Sequence, residues 1–148
     1  MDFGLPLHPL IVHGAVVLIP LAALGAILVV IFPKIRTRYG LLTELFALAA
    51  TAAAFGARLT GPILADDLGM GGSERIERHM TLGVWTPWPV LLLALVLPVY
   101  LWAARSKDDG GSRTPFLIAG IVTVLAAVAS VVFIVLTGDS GARAVWGR

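Results

Sequence analysis

Four apolar runs, bounded by charged residues or by glycine and proline, leave this chain of 148 residues few ways to fold. They cover about residues 10–32, 41–64, 74–104 and 115–137, and each is long enough to cross a hydrocarbon core of about 30 Å at about 1.5 Å per residue. Lipid offers backbone N–H and C=O groups no partners, so runs of this kind fold as helices. With 58% hydrophobic and only 14% charged residues, the chain has too little polar surface for a soluble domain. The expected fold class is all-α: one integral membrane four-helix bundle over residues 1–148.

The absence of cysteine rules out thiolate metal sites, cluster ligation and disulfides within this chain. Any bound metal uses His, carboxylate or Met. The net charge of +2 is scattered over loops and forms no basic stripe, so nucleic acid is not an expected partner. Asp2 stands where a secretory signal would carry basic residues, and the first apolar run is too long for a signal core, so it reads as a mature helix.

Helix boundaries are legible where the polarity changes. Ser73 and Glu74 open the third helix, Thr114 and Pro115 suit an N-cap and first helical position, and Gly138 after Thr137 suits a stop. Asp66 to Gly72 reads as a loop able to act as a lid. Lys34, Arg36, Arg38, Arg105, Lys107 and Arg113 flank the odd-numbered turns, whereas Arg58, Arg75, Arg78, Arg143 and Arg148 on the opposite side are diluted by acids. The positive-inside rule then places the odd turns in the cytoplasm and both termini outside an inner membrane.

That topology carries the three histidines, His8, His13 and His79, to one end of the bundle. His8 precedes Pro9 and reads as an interfacial side chain or cap. His13 lies deeper, and an ionisable residue at that depth must face protein or water. The two are about 140° apart around a helix, so they form no single-helix metal clip. His79 opens the third helix and faces His13 across the bundle, an arrangement that suits two imidazoles holding a haem b.

Arg58, Arg75 and Arg78 are candidate partners for haem propionates, although Arg58 is better read as paired with Asp139, Asp66 or Asp67. Small residues recur every fourth position at Ala49, Ala53, Ala57 and Gly61, and again at Ala119, Thr123 and Ala127. These stripes predict close helix packing. Pro87, Pro89 and Pro98 predict a kinked third helix, and Trp146 an interfacial anchor.

The opening Leu7-His8-Pro9-Leu10-Ile11-Val12-His13 and the closing Gly138-Asp139-Ser140-Gly141-Ala142-Arg143-Ala144-Val145-Trp146-Gly147 resemble the two ends of a family of small bacterial membrane proteins of unknown function. Related membrane domains occur joined to Rieske iron–sulfur domains. The resemblance covers the whole chain and implies a four-helix fold. It also implies redox chemistry at the outer membrane face, in a layout similar to four-helix haem b cytochromes. Relatives often have His where Asp139 stands, which argues against a second haem here.

The expected function is therefore electron transfer through one haem b, with cofactor-binding residues His13, His79, Arg58 and His8. Two other readings stand beside it: a zinc or copper site of His13, His79 and Asp139, or an accessory subunit without a cofactor. Expected partners are the bilayer together with a redox partner, a larger membrane complex or further copies of the chain. Neither a Ser-His-Asp set nor a phosphate loop is present, so no catalytic residue is assigned.

Overall fold

The computed structural model describes residues 7–70 and 72–147; Asp2, Gly71 and Arg148 lie outside the described residues. Five helices follow one another: α1 (Leu7–Ile31), α2 (Pro33–Asp67), α3 (Glu74–Trp85), α4 (Pro87–Asp108) and α5 (Arg113–Trp146). α3 and α4 form one bent crossing segment, so four segments are long and apolar enough to span a membrane. The chain is an all-α four-helix bundle, as its hydropathy predicts.

The helices extend beyond the apolar runs, for local reasons. α2 begins at Pro33 rather than near Leu41, because proline at the first helical position has a preset φ and no N–H left to satisfy. Lys34, Arg36 and Arg38 thus lie on its opening turns. Only Phe32, in an extended conformation (φ −112°, ψ 108°), separates α1 from α2. α5 starts one residue after Ser112, whose hydroxyl caps it by accepting from the Thr114 N–H. Ser73 precedes α3 as expected, with Glu74 and Glu77 in the first turn.

Two boundaries differ more. Gly138 does not stop the last helix, which continues to Trp146. A helix end by glycine depends on the left-handed conformation, and positive φ occurs here only at Gly69, Gly72 and Gly110 among the described residues. Asp66 and Asp67 also remain helical, so the connection to α3 is short and turns on Gly69 and Gly72. The expected proline bend appears as a break at Thr86, between Trp85 and Pro87. Pro87 and Pro89 withhold the N–H groups that the carbonyls of Gly83 and Trp85 would accept from. Thr86 stays tied to the end of α3 by donating to the Leu82 carbonyl from both its backbone N–H and its hydroxyl.

The interior is built from small side chains. Ala15, Ala22, Ala47, Ala50, Ala54 and Ala94 are buried together, so α1, α2 and α4 pack backbone to backbone. On α5 the expected stripe of Ala119, Thr123 and Ala127 is buried. On α2 the buried stripe is Thr43, Ala47, Ala50 and Ala54, whereas Ala49 is exposed. Both registers offer small residues four apart, and contact with α1 and α4 selects between them.

At the end opposite the histidines, Tyr100 is fully buried and ties three helices together. Its hydroxyl donates to the Val30 carbonyl at 3.1 Å and accepts from Arg36 Nη1 at 3.0 Å. Arg36 also approaches Asp108 at 3.6 Å, and its guanidinium lies 5.6 Å from the Phe116 ring centroid of α5.

Candidate functional site

All three histidines border one cavity of about 400 Å³ at the end of the bundle where α1 begins and α2 and α5 finish. Its wall is almost wholly apolar, formed by residues such as Val12, Ile19, Ala57, Met80, Val84 and Ile134. α3 supplies the near wall because Ile76, His79, Met80 and Gly83 share one helical face, while its Glu74, Arg75, Glu77 and Arg78 are exposed.

His8 is half-buried against α2. Its Nδ1 lies 3.1 Å from Thr60 Oγ1, and its ring rests over Gly61, where an added Cβ would stand 3.3 Å from His8 Cε1. Thr60 gives its own proton to the Gly56 carbonyl at 2.8 Å, so its oxygen receives the bond from His8. Nδ1 therefore carries the proton and Nε2 the lone pair.

His79 repeats the arrangement on the opposite wall. Its Nδ1 lies 3.1 Å from both the Thr137 carbonyl and Ser140 Oγ, and a carbonyl only accepts, so this Nδ1 is again the donor. Ser140 is itself fixed by donating to the Thr137 carbonyl at 2.8 Å. Gly141 makes room: a Cβ there would stand 2.9 Å from His79 Cε1. The closing residues from Gly138 onward are thus a helical wall of the cavity, and Gly141 is a seat for an imidazole.

His13 occupies a different position from the one expected. It is exposed at the cavity's edge, with Nδ1 donating to the Pro9 carbonyl of its own helix at 2.6 Å. The histidine held against a neighbouring helix is His8, because Thr60 and Gly61 of α2 offer it a partner and a space. The presence of that seat could not be read from α1 alone.

Asp139 does not join the histidines. It is exposed and paired with Arg143 at 2.8 Å, and it does not line the cavity. Among the described residues no three His, Asp or Glu side chains come together as a metal-holding group, so the expected set of His13, His79 and Asp139 is not assembled. Helical periodicity explains this: Asp139 lies two residues from Thr137 and Gly141, which turns it about 200° away from the wall they form.

Arg58 lines the cavity, as its place in the last turns of α2 suggested. It pairs with none of Asp139, Asp66 and Asp67; its guanidinium lies 5.7 Å from the Trp88 ring centroid, and Trp88 meets Phe55 edge to face at 5.7 Å. A cation over an aromatic face is held in place without losing its charge. Arg75 donates to the Gly147 carbonyl, and neither it nor Arg78 reaches the cavity wall.

The fold and the cavity together define a four-span helical membrane protein with a histidine-walled apolar pocket at one end. The family described as "Predicted membrane protein (DUF2231)" matches residues 4–148, and the chain belongs to it. No curated protein and no solved structure matches the chain.

Proposed function

We propose that this protein is a membrane-bound haem b protein for electron transfer, with His8 and His79 as the two iron ligands. One observation carries the reading: two half-buried imidazoles on different helices border one apolar cavity, each with Nδ1–H tied to an oxygen and an Nε2 lone pair left over. Ligating histidines are characteristically oriented in this way by an oxygen on the other ring nitrogen. The apolar wall suits a macrocycle, and a cavity of about 400 Å³ falls within the size range of cofactor sites. Arg58 is the cation on the wall for a propionate. When bound, the haem would supply one-electron redox chemistry; the chain's own contribution is to orient two imidazoles and exclude water. The charge asymmetry of the loops supports a reading in which this end of the bundle faces the outer side of an inner membrane, where a redox partner would meet it.

The test is a reduced-minus-oxidised visible spectrum, with iron analysis, of protein purified from haem-supplied cells. The expected result is haem b bands at near one iron per chain, lost in His8→Ala and in His79→Ala and kept in His13→Ala. Full bands in either of the first two variants would remove that residue from the ligand pair. A colourless, iron-free wild-type protein would overturn the haem reading and favour an accessory role.

A further inference from the structure

Among the described residues, Glu44 is the only acidic side chain in the apolar body of the bundle. Between His13 and Lys34 on α1, between Glu44 and Arg58 on α2, and between Arg113 and Asp139 on α5, no ionisable residue occurs. The stretch of α4 from Trp88 to Trp102 has only Tyr100, whose hydroxyl is already engaged by Val30 and Arg36.

The half-buried Glu44 has Oε2 fully enclosed, with no hydrogen-bond partner among the described residues. The nearest cations on its own helix are Arg38 and Arg36, about 9 and 12 Å back by helical rise. Both are occupied: Arg38 lies over the Tyr39 ring at 5.4 Å, and Arg36 is held by Tyr100 and Asp108. A carboxylate enclosed in apolar surroundings without a cation is strongly disfavoured against its neutral acid.

The neighbouring helix offers the neutral form something the charged form cannot use. A Cβ on Gly40 would meet Leu101, and Thr51 Oγ1 lies 3.4 Å from the Val90 carbonyl, so α2 and α4 run antiparallel in a register that sets Glu44 level with Leu97. The next residue, Pro98, has no N–H to give, which leaves the Ala94 carbonyl without its helical donor at this level. A backbone acceptor that has lost its helical donor thus stands on the helix that Glu44 accompanies. Of the two forms of Glu44, only the protonated carboxyl can donate to such an acceptor.

We propose that Glu44 is a proton-binding site inside the membrane-spanning bundle, one that holds its proton at neutral pH. The site is independent of the histidine cavity, which lies at the other end of α2. A carboxylic acid in this setting is open to covalent capture by a membrane-soluble carbodiimide. The acid proton passes to one carbodiimide nitrogen as the carboxyl oxygen adds to the central carbon, and the acyl group then shifts from oxygen to nitrogen to give a stable N-acylurea. No group leaves, and nothing is oxidised or reduced.

The test is to treat the full chain, reconstituted in liposomes at neutral pH, with dicyclohexylcarbodiimide and in parallel with a water-soluble carbodiimide, and to map adducts by mass spectrometry. The expected result is a single adduct from the membrane-soluble reagent, located at Glu44 in the wild-type protein and absent from Glu44→Gln. The water-soluble reagent should reach exposed carboxylates such as Asp66, Asp109 and Asp139 and leave Glu44 unmodified. Absence of a Glu44 adduct with the membrane-soluble reagent, or equal modification of Glu44 by both, would overturn the proposal. Because the assignment is made on wild-type protein, it stands or falls even if Glu44→Gln fails to fold.

Discussion

Tyr100 shows how much one buried polar group contributes to this bundle. Its hydroxyl joins α1 to α2 through Val30 and Arg36, and the Arg36 side chain is only 9% exposed. Tyr100→Phe deletes the hydroxyl and leaves a guanidinium short of one acceptor, so a loss of about 1–3 kcal/mol is expected. Arg36→Ala should cost at least as much, since it also removes the contacts with Asp108 and Phe116. Both are measured as a lowered Tm in detergent, and an unchanged Tm in Tyr100→Phe would show that the hydroxyl is not engaged. In the sequence, Arg36 reads as one of several loop cations marking topology. Nothing local distinguishes it from Lys34 or Arg38, because its partners lie 64 and 72 positions away on α4. His8 and His13 show the same limit. Their residue type and shared end of the bundle are legible, but which one is held against a neighbour depends on Thr60 and Gly61.

At the scale of elements, apolar length identified the four crossing segments but underestimated all of them, the second and the last most. Helix can continue into water wherever its polar face is solvated and no residue takes a left-handed conformation, so hydropathy marks where a helix meets lipid rather than where it ends. Gly138 is the clearest case, since the sequence offers it as a stop and the structure keeps it inside α5, with nothing within 4 Å of an added Cβ. Gly138→Ala should therefore stabilise the protein by about 0.5–1 kcal/mol, through the better helix propensity of alanine. A stop in the left-handed conformation would give the opposite sign, and a Tm comparison decides between them. The proline signal in the third run was more faithful, because a missing N–H is a local property. Pro87 and Pro89 break the segment at Thr86, and the Thr86 hydroxyl lies 2.7 Å from that of Thr137 on α5, which ties the bend to the wall that holds His79.

For the whole molecule, membrane sidedness is the property that decides which compartment the histidine cavity serves. The absence of cysteine makes the chain a clean background for labelling with a membrane-impermeant maleimide. Asp139→Cys, at the histidine end, should react in intact cells stripped of their outer envelope. Asp109→Cys, at the basic end, should react only after the membrane is opened; the reverse pattern would place the cavity on the cytoplasmic side. Class, number of spans and the gathering of histidines at one end all follow from chain-wide regularities, and so are legible in the sequence. The cavity is not, because its walls combine residues from α1, α2, α3 and α5 that lie far apart in the chain. That composite construction also imposes an order in time. α5 is the last of the four crossing segments to leave the ribosome, and it brings the Thr137 carbonyl, Ser140 and the bare face of Gly141 against which His79 settles. The cavity is therefore walled only once α5 is in place, and a chain cut short before Thr137 is expected to insert without a seat for His79.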